Sequence, residues 1–431
     1  MSTSRTAAVV TGLGVVTPVG RGIEDFFDAV CAGKSGLVRP PDGHTAAGRV
    51  EAVGIAPDID PLTVLPRTET RGADRFLLMG LAAAADAMAD AGLRVGEDVD
   101  PLRVCVVVSS GAGGLTTFES QAIAHHERGQ TAVSAYLYPG FLPNMPAARI
   151  AIRYGIRGYS SNIATACAAS AHAVAEALRL IRAGDADVVV CGGAESPLGP
   201  TGIAGFANAR ALANGWADPT AASRPFDRGR NGFVLGEGAG ILVVERRELA
   251  DARGAAGYAD LIGWGATTDA YHPIMPRPDG SGAAESMRRA IIDAGVAAGD
   301  VGYVNAHGTG TKVGDLAEAR AIRTAFGDHA PAVSSTKSVT GHLLGSAGAV
   351  EAAAAVLALA RGALPPTHNL DDPDPECDLD HIRGLPRLTR PVAALSNSFA
   401  FGGHNVSLLF GRPSTRRTRT GADGADPTSN Q

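Results

Sequence analysis

The stretch Thr165-Ala166-Cys167-Ala168-Ala169-Ser170 decides how this chain folds. Residues 159–163 in front of it lean toward β-structure, and residues 172–182 behind it place apolar side chains at helical spacing. Gly184 then supplies a stop for the helix. The pattern therefore predicts a strand, a turn that carries Cys167, and an amphipathic helix.

Cys167 has two interpretations at this stage. At a strand-to-helix turn, the amides and dipole of the following helix favour the thiolate over the thiol, and small neighbours would let a substrate carbonyl approach. A free cysteine is nevertheless more commonly a buried structural residue. From this stretch alone, a nucleophile and a structural thiol are equally well supported.

Composition limits the class of protein. The 431 residues include 19% charged and 45% hydrophobic residues and 55 glycines, which is typical of a globular chain of two domains or two halves. A net charge of −6 argues against nucleic-acid binding. Five scattered cysteines without C-x-x-C spacing argue against zinc and redox pairs, and the odd count suits a reducing compartment. Because neither a secretory signal nor a run of about 20 apolar residues is visible, we expect a soluble cytoplasmic protein that is not bound to a membrane.

Apolar β-branched runs alternate with helical segments along the chain. The predicted strands are residues 7–10, 104–108, 187–191, 241–244, 261–264, 302–305, 332–335, 392–396 and 406–410. The predicted helices are residues 76–91, 168–183, 282–294, 316–326 and 348–361. Strands that are apolar throughout are covered on both faces, so the rhythm predicts an α/β architecture with mixed sheets between helices.

Similar glycine-rich stretches end both halves of the chain and suggest an internal duplication. These stretches, residues 236–244 and 402–410, each lead into an apolar strand. We predict a first half at residues 1–256 and a second at 257–412. Residues 413–431 lose nearly all apolar side chains, which predicts a disordered tail.

Three polar segments of the second half carry candidate chemistry. His307 follows a predicted strand and stands beside glycines, Lys337 and His342 share a loop of small residues, and residues 396–405 hold two phenylalanines between strands. A buried lysine requires an acid, for which Glu318 and Glu351 are candidates. Taken singly, each histidine could be structural and the phenylalanine loop could be a hairpin with core aromatics.

One cysteine together with two histidines favours acyl or carbon–carbon chemistry. A thiolate can form a thioester, and neutral histidines can donate hydrogen bonds to a developing enolate or oxyanion. Two such donors are reasonable if an enolate must form without a metal.

Five motifs in order give the chain a specific resemblance. They surround Cys167, His307, the Lys337–His342 loop and the loop at residues 397–405, and include Arg224-Pro225-Phe226-Asp227 with the continuation to Gly238. Over residues 7–411 the chain resembles the β-ketoacyl-acyl carrier protein synthases of the thiolase superfamily, the condensing enzymes of type II fatty acid and polyketide synthesis. The resemblance implies a duplicated thiolase-like fold with five layers, α-β-α-β-α, and two mixed sheets.

The resemblance also implies the reaction. Cys167 would take the acyl chain from a carrier-protein thioester, and His307 and His342 would stabilise the enolate formed when malonyl-carrier protein loses CO₂. The carbanion would then attack the Cys167 thioester and extend the chain by two carbons. The backbone amides of Cys167 and Phe401 would form the oxyanion hole.

Supporting roles follow from the same resemblance. Lys337 would hold the surroundings of the second histidine and pair with Glu351, while Glu318 would order the site through hydrogen bonds. Phe401 would act as the acyl gate, in a loop that also contains Phe399 and Ala400. No metal or organic cofactor is implied, although a bound monovalent cation is compatible with the family.

Partners are implied as well. The acyl and malonyl forms of an acyl carrier protein would be substrates, and because carrier proteins are acidic, docking charges are expected at the surface; the candidates are Arg67, Arg71, Arg75 and Arg210. The chain would form a homodimer, or a heterodimer with a chain-length-factor-like subunit without which it is inactive.

Three positions depart from the family pattern. Ala400 replaces a gate-loop glycine and would be strained if that position requires a positive φ. Asn231 replaces an aspartate, and Gly310 stands where serine or alanine is frequent. None of the three is Cys167, His307 or His342, so we expect activity to be retained.

Rival classes fit less well. A chain-length factor lacks the nucleophilic cysteine, and a thiolase would carry a second catalytic cysteine where this chain has Phe401 and His404. Gly12-Leu13-Gly14 follows a strand but lacks the third glycine of a dinucleotide fingerprint. His125–His126 and the acidic residues 371–380 lack the spacing of metal ligands.

Overall fold

The computed structural model describes residues 8–44, 46 and 48–413 of the chain. The predicted tail, apart from Pro413, lies outside these residues. The helices are α1 (Ile23–Ala32), α2 (Pro61–Val64), α3 (Arg75–Ala91), α4 (Leu115–Arg128), α5 (Leu137–Phe141), α6 (Met145–Tyr154), α7 (Ala169–Ala183), α8 (Pro200–Asn208), α9 (Arg247–Ala252), α10 (Ser281–Ala294), α11 (Lys312–Phe326), α12 (Lys337–Thr340) and α13 (Ala347–Arg361). The strands are β1 (Ala8–Thr17), β2 (Gly20–Arg21), β3 (Leu37–Val38), β4 (Val53–Gly54), β5 (Val104–Ser109), β6 (Ser160–Ser161), β7 (Val188–Glu195), β8 (Gly238–Arg246), β9 (Ala259–Thr268), β10 (Val301–Asn305), β11 (Ala332–Ser334), β12 (Ala363–Leu364), β13 (Asp380–His381), β14 (Arg387–Leu388), β15 (Ala393–Ala400) and β16 (His404–Gly411).

The two halves of the chain repeat one sheet pattern. In the first half the strands run β6-β5-β7-β8-β1, with two parallel pairs followed by two antiparallel pairs. In the second half β11-β10-β15-β16-β9 repeats this order of parallel and antiparallel pairs. The repetition bears out the predicted duplication, while the boundary at residues 256/257 stays a prediction.

Hydrogen bonds between β1 and β9 connect the two mixed sheets. Ala8, Val9 and Val10 lie opposite Leu261, Asp260 and Ala259 in an antiparallel arrangement. In the described residues the two predicted sheets therefore form one twelve-stranded ladder, with β1 and β9 at its centre.

Five layers stack as expected. Helices α7 and α13 contact strands of both halves and form the central layer, while α3 and α6 cover the outer face of the first half and α10 that of the second. The largest apolar cluster contains the buried faces of α7 and α13. The stretch Leu344–Arg361 is long and apolar enough to cross a membrane, but 83% of it is buried inside the protein, so it is a core helix.

Glycines let outer helices approach the sheet closely. A Cβ atom on Gly12 or Gly14 would lie 2.2 or 2.0 Å from backbone oxygens of α3. Gly263 and Gly265 of β9 meet α10 at 2.5 and 2.1 Å in the same way. Gly12 and Gly14 therefore do not interrupt β1, which continues through both to Thr17.

Each predicted strand and helix overlaps an observed one. The helix behind Cys167 runs from Ala169 to Ala183, and Gly184 ends it with φ 79°. The β-leaning residues 159–163 yield only the two-residue strand β6. Helices α1, α4 and α6 were not predicted, and α4 has only Ala124 buried, so its sequence carries little apolar periodicity.

Candidate functional site

The turn before α7 presents Cys167 in a strained conformation. Ala166, the residue before it, has φ +48°, a left-handed conformation that a residue with a Cβ rarely adopts. Residues Ala166–Ala168 form a short 3-10 turn that leads into α7. Strain of this kind persists only where the surroundings hold it, and it concentrates at functional sites.

The thiol of Cys167 lies against an imidazole in a buried position. His342 Nε2 is 3.1 Å from Cys167 Sγ, and the cysteine is 8% exposed. Burial raises the pKa of Cys167 to about 12, with Lys337 opposing the shift. The expectation that the helix terminus favours the thiolate is thus wrong for the resting site, because desolvation outweighs it.

His307 is oriented by an ammonium group. It follows β10, and its Nδ1 lies 3.4 Å from Lys337 Nζ. Because an ammonium only donates, Nδ1 accepts and the ring hydrogen belongs on Nε2. The His307 and His342 rings meet edge-to-face with centroids 5.3 Å apart. Burial, together with the nearby Lys337 charge, lowers both pKa values well below the usual range, so both imidazoles are neutral.

Lys337 and Glu351 form a buried ion pair. Lys337 is 1% exposed, and burial raises the pKa of Glu351 to about 7 against the pull of the lysine. The expected pairing is present, but the expected neighbour is corrected: Lys337 contacts His307, the first histidine, rather than His342. Lys337 thus reaches a residue 30 positions earlier in the chain, a contact that its closeness in sequence to residue 342 could not reveal.

Glu318 fixes the loop that carries His307. Its carboxylate accepts the backbone N–H groups of His307 and Gly308 at 2.8 and 2.7 Å, and Asn397 Nδ2 at 3.3 Å. Burial raises the pKa of Glu318 to about 7 despite these donors. Glu318 thus has the geometry of the ordering role expected for it.

His342 is held through its backbone. Its N–H donates to Val234 O at 2.8 Å and its carbonyl accepts from Gly236 N at 3.0 Å. Its Nδ1 is buried and has no hydrogen-bond partner among the described residues. The ring is therefore located by its backbone, by the Cys167 contact and by edge-to-face packing on His307 and Phe233, and none of these contacts fixes a proton on Nδ1.

The loop after β15 covers the site without strain at Ala400. Ala400 has φ −126°, which is ordinary extended backbone, so the strain considered for alanine does not arise. Gly402 and Gly403 take the positive φ values, 82° and 74°. Phe399 contacts the His307 ring with centroids 6.1 Å apart, and Phe401 is 37% exposed.

One cavity collects these groups. It has a volume of about 210 Å³ and its lining includes Cys167, His307, His342, Leu344, Phe399 and Phe401. Cys167, the two imidazoles and the loop with Phe399 and Phe401 thus share one mainly apolar chamber. Glu318 also lines it, whereas Lys337 and Glu351 lie behind the histidines.

One of the four arginines predicted to dock a carrier protein already forms ion pairs within the chain. Arg75 donates from Nε to Glu237 Oε1 at 2.8 Å and also pairs with Asp58. Arg75 is therefore held by Glu237, which would be left buried without a cation if the pair broke, and its docking role stays a prediction. The remaining candidates, Arg67, Arg71 and Arg210, are exposed.

The other two departures from the family pattern lie away from the thiol. Asn231 Oδ1 accepts from Trp216 Nε1 at 3.2 Å, and its Nδ2 donates to Asn214 O at 2.7 Å. Gly310 has φ +87°, a conformation that suits glycine better than serine or alanine.

Sequence reasoning missed two polar groups near the thiol. Glu195, at the end of β7, is 1% exposed and accepts hydrogen bonds from loops on both sides of the site. His172 Nδ1 lies 2.8 Å from Thr165 Oγ1, across the turn that holds Cys167. A carboxylate that ends an apolar strand after Gly192 and Gly193 was the available signal for Glu195.

Comparisons with known proteins agree with the geometry. The chain matches the family described as "Beta-ketoacyl synthase, N-terminal domain" over residues 6–250 and "Beta-ketoacyl synthase, C-terminal domain" over residues 258–371. It is 44% identical over 406 residues to a 3-oxoacyl-[acyl-carrier-protein] synthase 2 of Synechocystis sp., covering 93% of this chain and 97% of the relative.

Two solved structures share the fold. One is a type II PKS acyl-carrier protein in complex with its ketosynthase bound to the hexaketide, with a TM-score of 0.87 and 32% identity, covering 95% of this chain and 100% of that one. The other is the ishigamide ketosynthase/chain length factor, with a TM-score of 0.88, 33% identity and the same coverage. The predicted fold class is confirmed.

Proposed function

This chain belongs to the β-ketoacyl synthase family, and from that premise we propose that Cys167, His307 and His342 carry its chemistry. The chain is an acyltransferase that condenses an acyl chain with malonyl-acyl carrier protein in fatty acid or polyketide synthesis. The observation that carries the residue assignment is the 3.1 Å contact between His342 Nε2 and Cys167 Sγ, with the His307 ring beside it in the same chamber.

Acyl transfer comes first. Cys167 Sγ attacks the thioester carbonyl of the acyl-carrier protein while its proton passes to His342 Nε2. The tetrahedral intermediate places its negative charge on oxygen, where the backbone N–H groups of Cys167 and Phe401 donate to it. Collapse of the intermediate forms the Cys167 thioester, and the departing carrier-protein thiolate takes the proton back from His342.

Decarboxylation generates the carbon nucleophile. The bond to the carboxylate of malonyl-carrier protein breaks, CO₂ leaves, and the electron pair forms an enolate. His307 donates from Nε2 to the enolate oxygen, since Lys337 occupies its Nδ1. His342 is the second donor in the tautomer that carries its hydrogen on Nε2.

Condensation joins the two fragments. The enolate carbon attacks the Cys167 thioester, and the oxyanion again accepts from the two backbone amides. Collapse expels the Cys167 thiolate, which takes up one proton from solvent, and leaves a 3-oxoacyl chain two carbons longer on the carrier protein.

Partners and location belong to the same proposal. Acyl carrier protein is the substrate carrier, with Arg67, Arg71 and Arg210 as docking charges, and a second subunit completes a homodimer or a ketosynthase/chain-length-factor heterodimer. Two similar structures support both kinds of partner, since one is an acyl-carrier protein in complex with its ketosynthase and the other is a ketosynthase/chain length factor. We also propose that the reaction takes place in the cytoplasm, and that residues 1–256 and 257–412 are the two halves of the chain.

Mass spectrometry of the intact protein tests the nucleophile. After incubation with an acyl-carrier protein, the wild type should gain one acyl group and Cys167→Ala none. Cys191→Ala, which removes another buried thiol in β7, is the matched control and should still be acylated. An adduct on the Cys167→Ala protein would refute the assignment.

A second variant separates the two half-reactions. Cys167→Gln should keep or raise malonyl decarboxylation, measured as CO₂ release, while condensation ends. Loss of both activities would mean that the substitution damaged the fold rather than the chemistry. Assaying the wild type with and without an added chain-length-factor subunit, over a panel of acyl-carrier proteins, distinguishes homodimer from heterodimer and fatty acid from polyketide extension.

A further inference from the structure

Glu195 is a buried carboxylate surrounded by donors. Its oxygens accept from Ser110 Oγ at 2.9 Å and from the backbone N–H groups of Gly111, Ala112 and Gly345 at 2.6, 3.1 and 3.1 Å. Among the described residues it forms no ion pair with a lysine or arginine. Hydrogen bonds to backbone and hydroxyl donors thus compensate the burial of this group.

The donors come from both halves of the molecule. Residues 110–112 follow β5 in the first half, whereas Gly345 lies in the second half, three residues after His342. The approach at Gly345 is close: a Cβ there would be 2.2 Å from Glu195 Oε2 and 2.5 Å from Gly111 N. The carboxylate therefore sets the spacing between these two loops.

The spacing between these two loops affects the position of His342. The histidine backbone is held at one end by Val234 and Gly236, and the Gly345 bond to Glu195 holds the other end of the segment. Between them Leu344, which lines the chamber, has φ +47°. A left-handed leucine relaxes unless both flanks are fixed.

We propose that Glu195 is a positioning residue for the condensation reaction, one that ties residues 110–112 to Gly345 and so keeps His342 within reach of Cys167. The proposal rests on the proposed roles of Cys167 and His342. Glu195 itself touches neither the thiol nor the imidazole; it acts through the loop.

Burial and hydrogen-bond donors act in opposite directions on Glu195. All four of its partners can donate to a carboxylate, and Ser110 Oγ also accepts from Gly113 N at 2.9 Å. Burial raises the pKa of Glu195, and the four donors oppose that shift. The groups that act on the thiol charge are Lys337, Glu195 and Glu351, with the neutral His342 in contact; after burial and the opposing Lys337, Glu195 raises the pKa of Cys167.

Three substitutions separate position from charge and from stability. Glu195→Gln removes the carboxylate and turns an amide N–H₂ toward the donors, so kcat for condensation should fall by about 10- to 100-fold. Alkylation of Cys167 by iodoacetamide should also reach half its maximal rate at a lower pH.

Gly345→Ala pushes the loop that carries Gly345 away from Glu195 but keeps the carboxylate. The kcat for condensation should therefore fall, while the pH dependence of Cys167 alkylation stays unchanged. Glu237→Gln, at a buried carboxylate paired with Arg75, should lower the melting temperature and leave kcat and the profile unchanged.

The outcomes distinguish the positioning role of Glu195 from the proposed function itself. A Glu195→Gln protein with kcat within twofold of the wild type, or one whose effects match those of Glu237→Gln, overturns the positioning role. If the wild type itself forms no Cys167 adduct, the proposed function fails instead. Should Glu195→Gln not fold, Gly345→Ala alone decides, because normal kcat in that variant contradicts the role of the loop spacing.

Discussion

The two histidines of the chamber occupy contrasting surroundings. His307 has Lys337 at its Nδ1 and a backbone fixed by Glu318. His342 has the thiol at its Nε2 and, in the described part of the chain, no partner at Nδ1. The first ring is thereby restricted to one tautomer, whereas the second can exist in either.

Because of this difference, the two histidines are suited to different roles in the reaction. A ring with a fixed hydrogen on Nε2 suits a permanent hydrogen-bond donor, because no reorganisation is needed when the enolate forms. A ring without a fixed proton can take the thiol hydrogen in one step and donate in another.

Alanine at each histidine tests this division directly and should give the largest effects. His342→Ala should slow both Cys167 acylation and malonyl decarboxylation by about 10²–10³-fold each, which takes condensation below detection. His307→Ala should slow decarboxylation to a similar degree and leave acylation near the wild-type rate, because its ring does not contact the thiol. Rates of adduct formation and CO₂ release measure the two steps; equal acylation defects in the two variants would contradict the division.

Removing the ammonium that orients His307 should give an intermediate effect. Lys337→Met alone would leave Glu351 buried without its cation, so the double variant Lys337→Met/Glu351→Met is the informative protein. It should unfold in urea close to the wild type, yet release CO₂ from malonyl-carrier protein about tenfold more slowly, since one hydrogen bond to His307 is lost. Full decarboxylation in a folded double variant would show that the ring needs no ammonium.

Ala400→Gly should have the smallest effect. Because Ala400 has an ordinary extended φ, glycine relieves no strain and only adds freedom to the unfolded chain, at a cost of about 0.5–1 kcal/mol. Phe399 should still cover the His307 ring, and condensation should be unchanged. Gly402→Ala, at φ 82°, is the control that should destabilise more; the reverse order would mean that the loop is strained at residue 400.

The fold was largely predictable because its central elements are mainly apolar. β5, β7 and α13 are long buried runs that are interrupted by only a few polar residues, such as Glu195 and Glu351. Runs of this kind can be recognised in the sequence. The pairing of β1 with β9 could not be foreseen, since neither strand differs from its neighbours in composition. Surface helices such as α4 were not predicted because few of their side chains are buried, so their sequences show little apolar periodicity.

The residues of the site were predictable by type and its contacts were not. Cys167, His307 and His342 follow from chemistry and resemblance, and they do converge. The contact between Lys337 and His307 depends on the direction of one side chain, which the sequence does not show. The φ of Ala400 likewise depends on which residues of the loop form the turn. The high pKa of Cys167 arises from burial, which a local sequence pattern does not report.

The central position of β1 has a consequence for how the protein is made. β1 is synthesised long before two of the strands it pairs with, since Ala8 lies opposite Arg246 of β8 and Leu261 of β9. Until those strands leave the ribosome, the two-residue β2 is the only described strand that can pair with the ten buried residues of β1, although α1 and α3 can already pack against it. Pairing over such long loops is slow and leaves apolar edges open to aggregation, so we expect the pairing of β1 to be completed late in the folding of this enzyme.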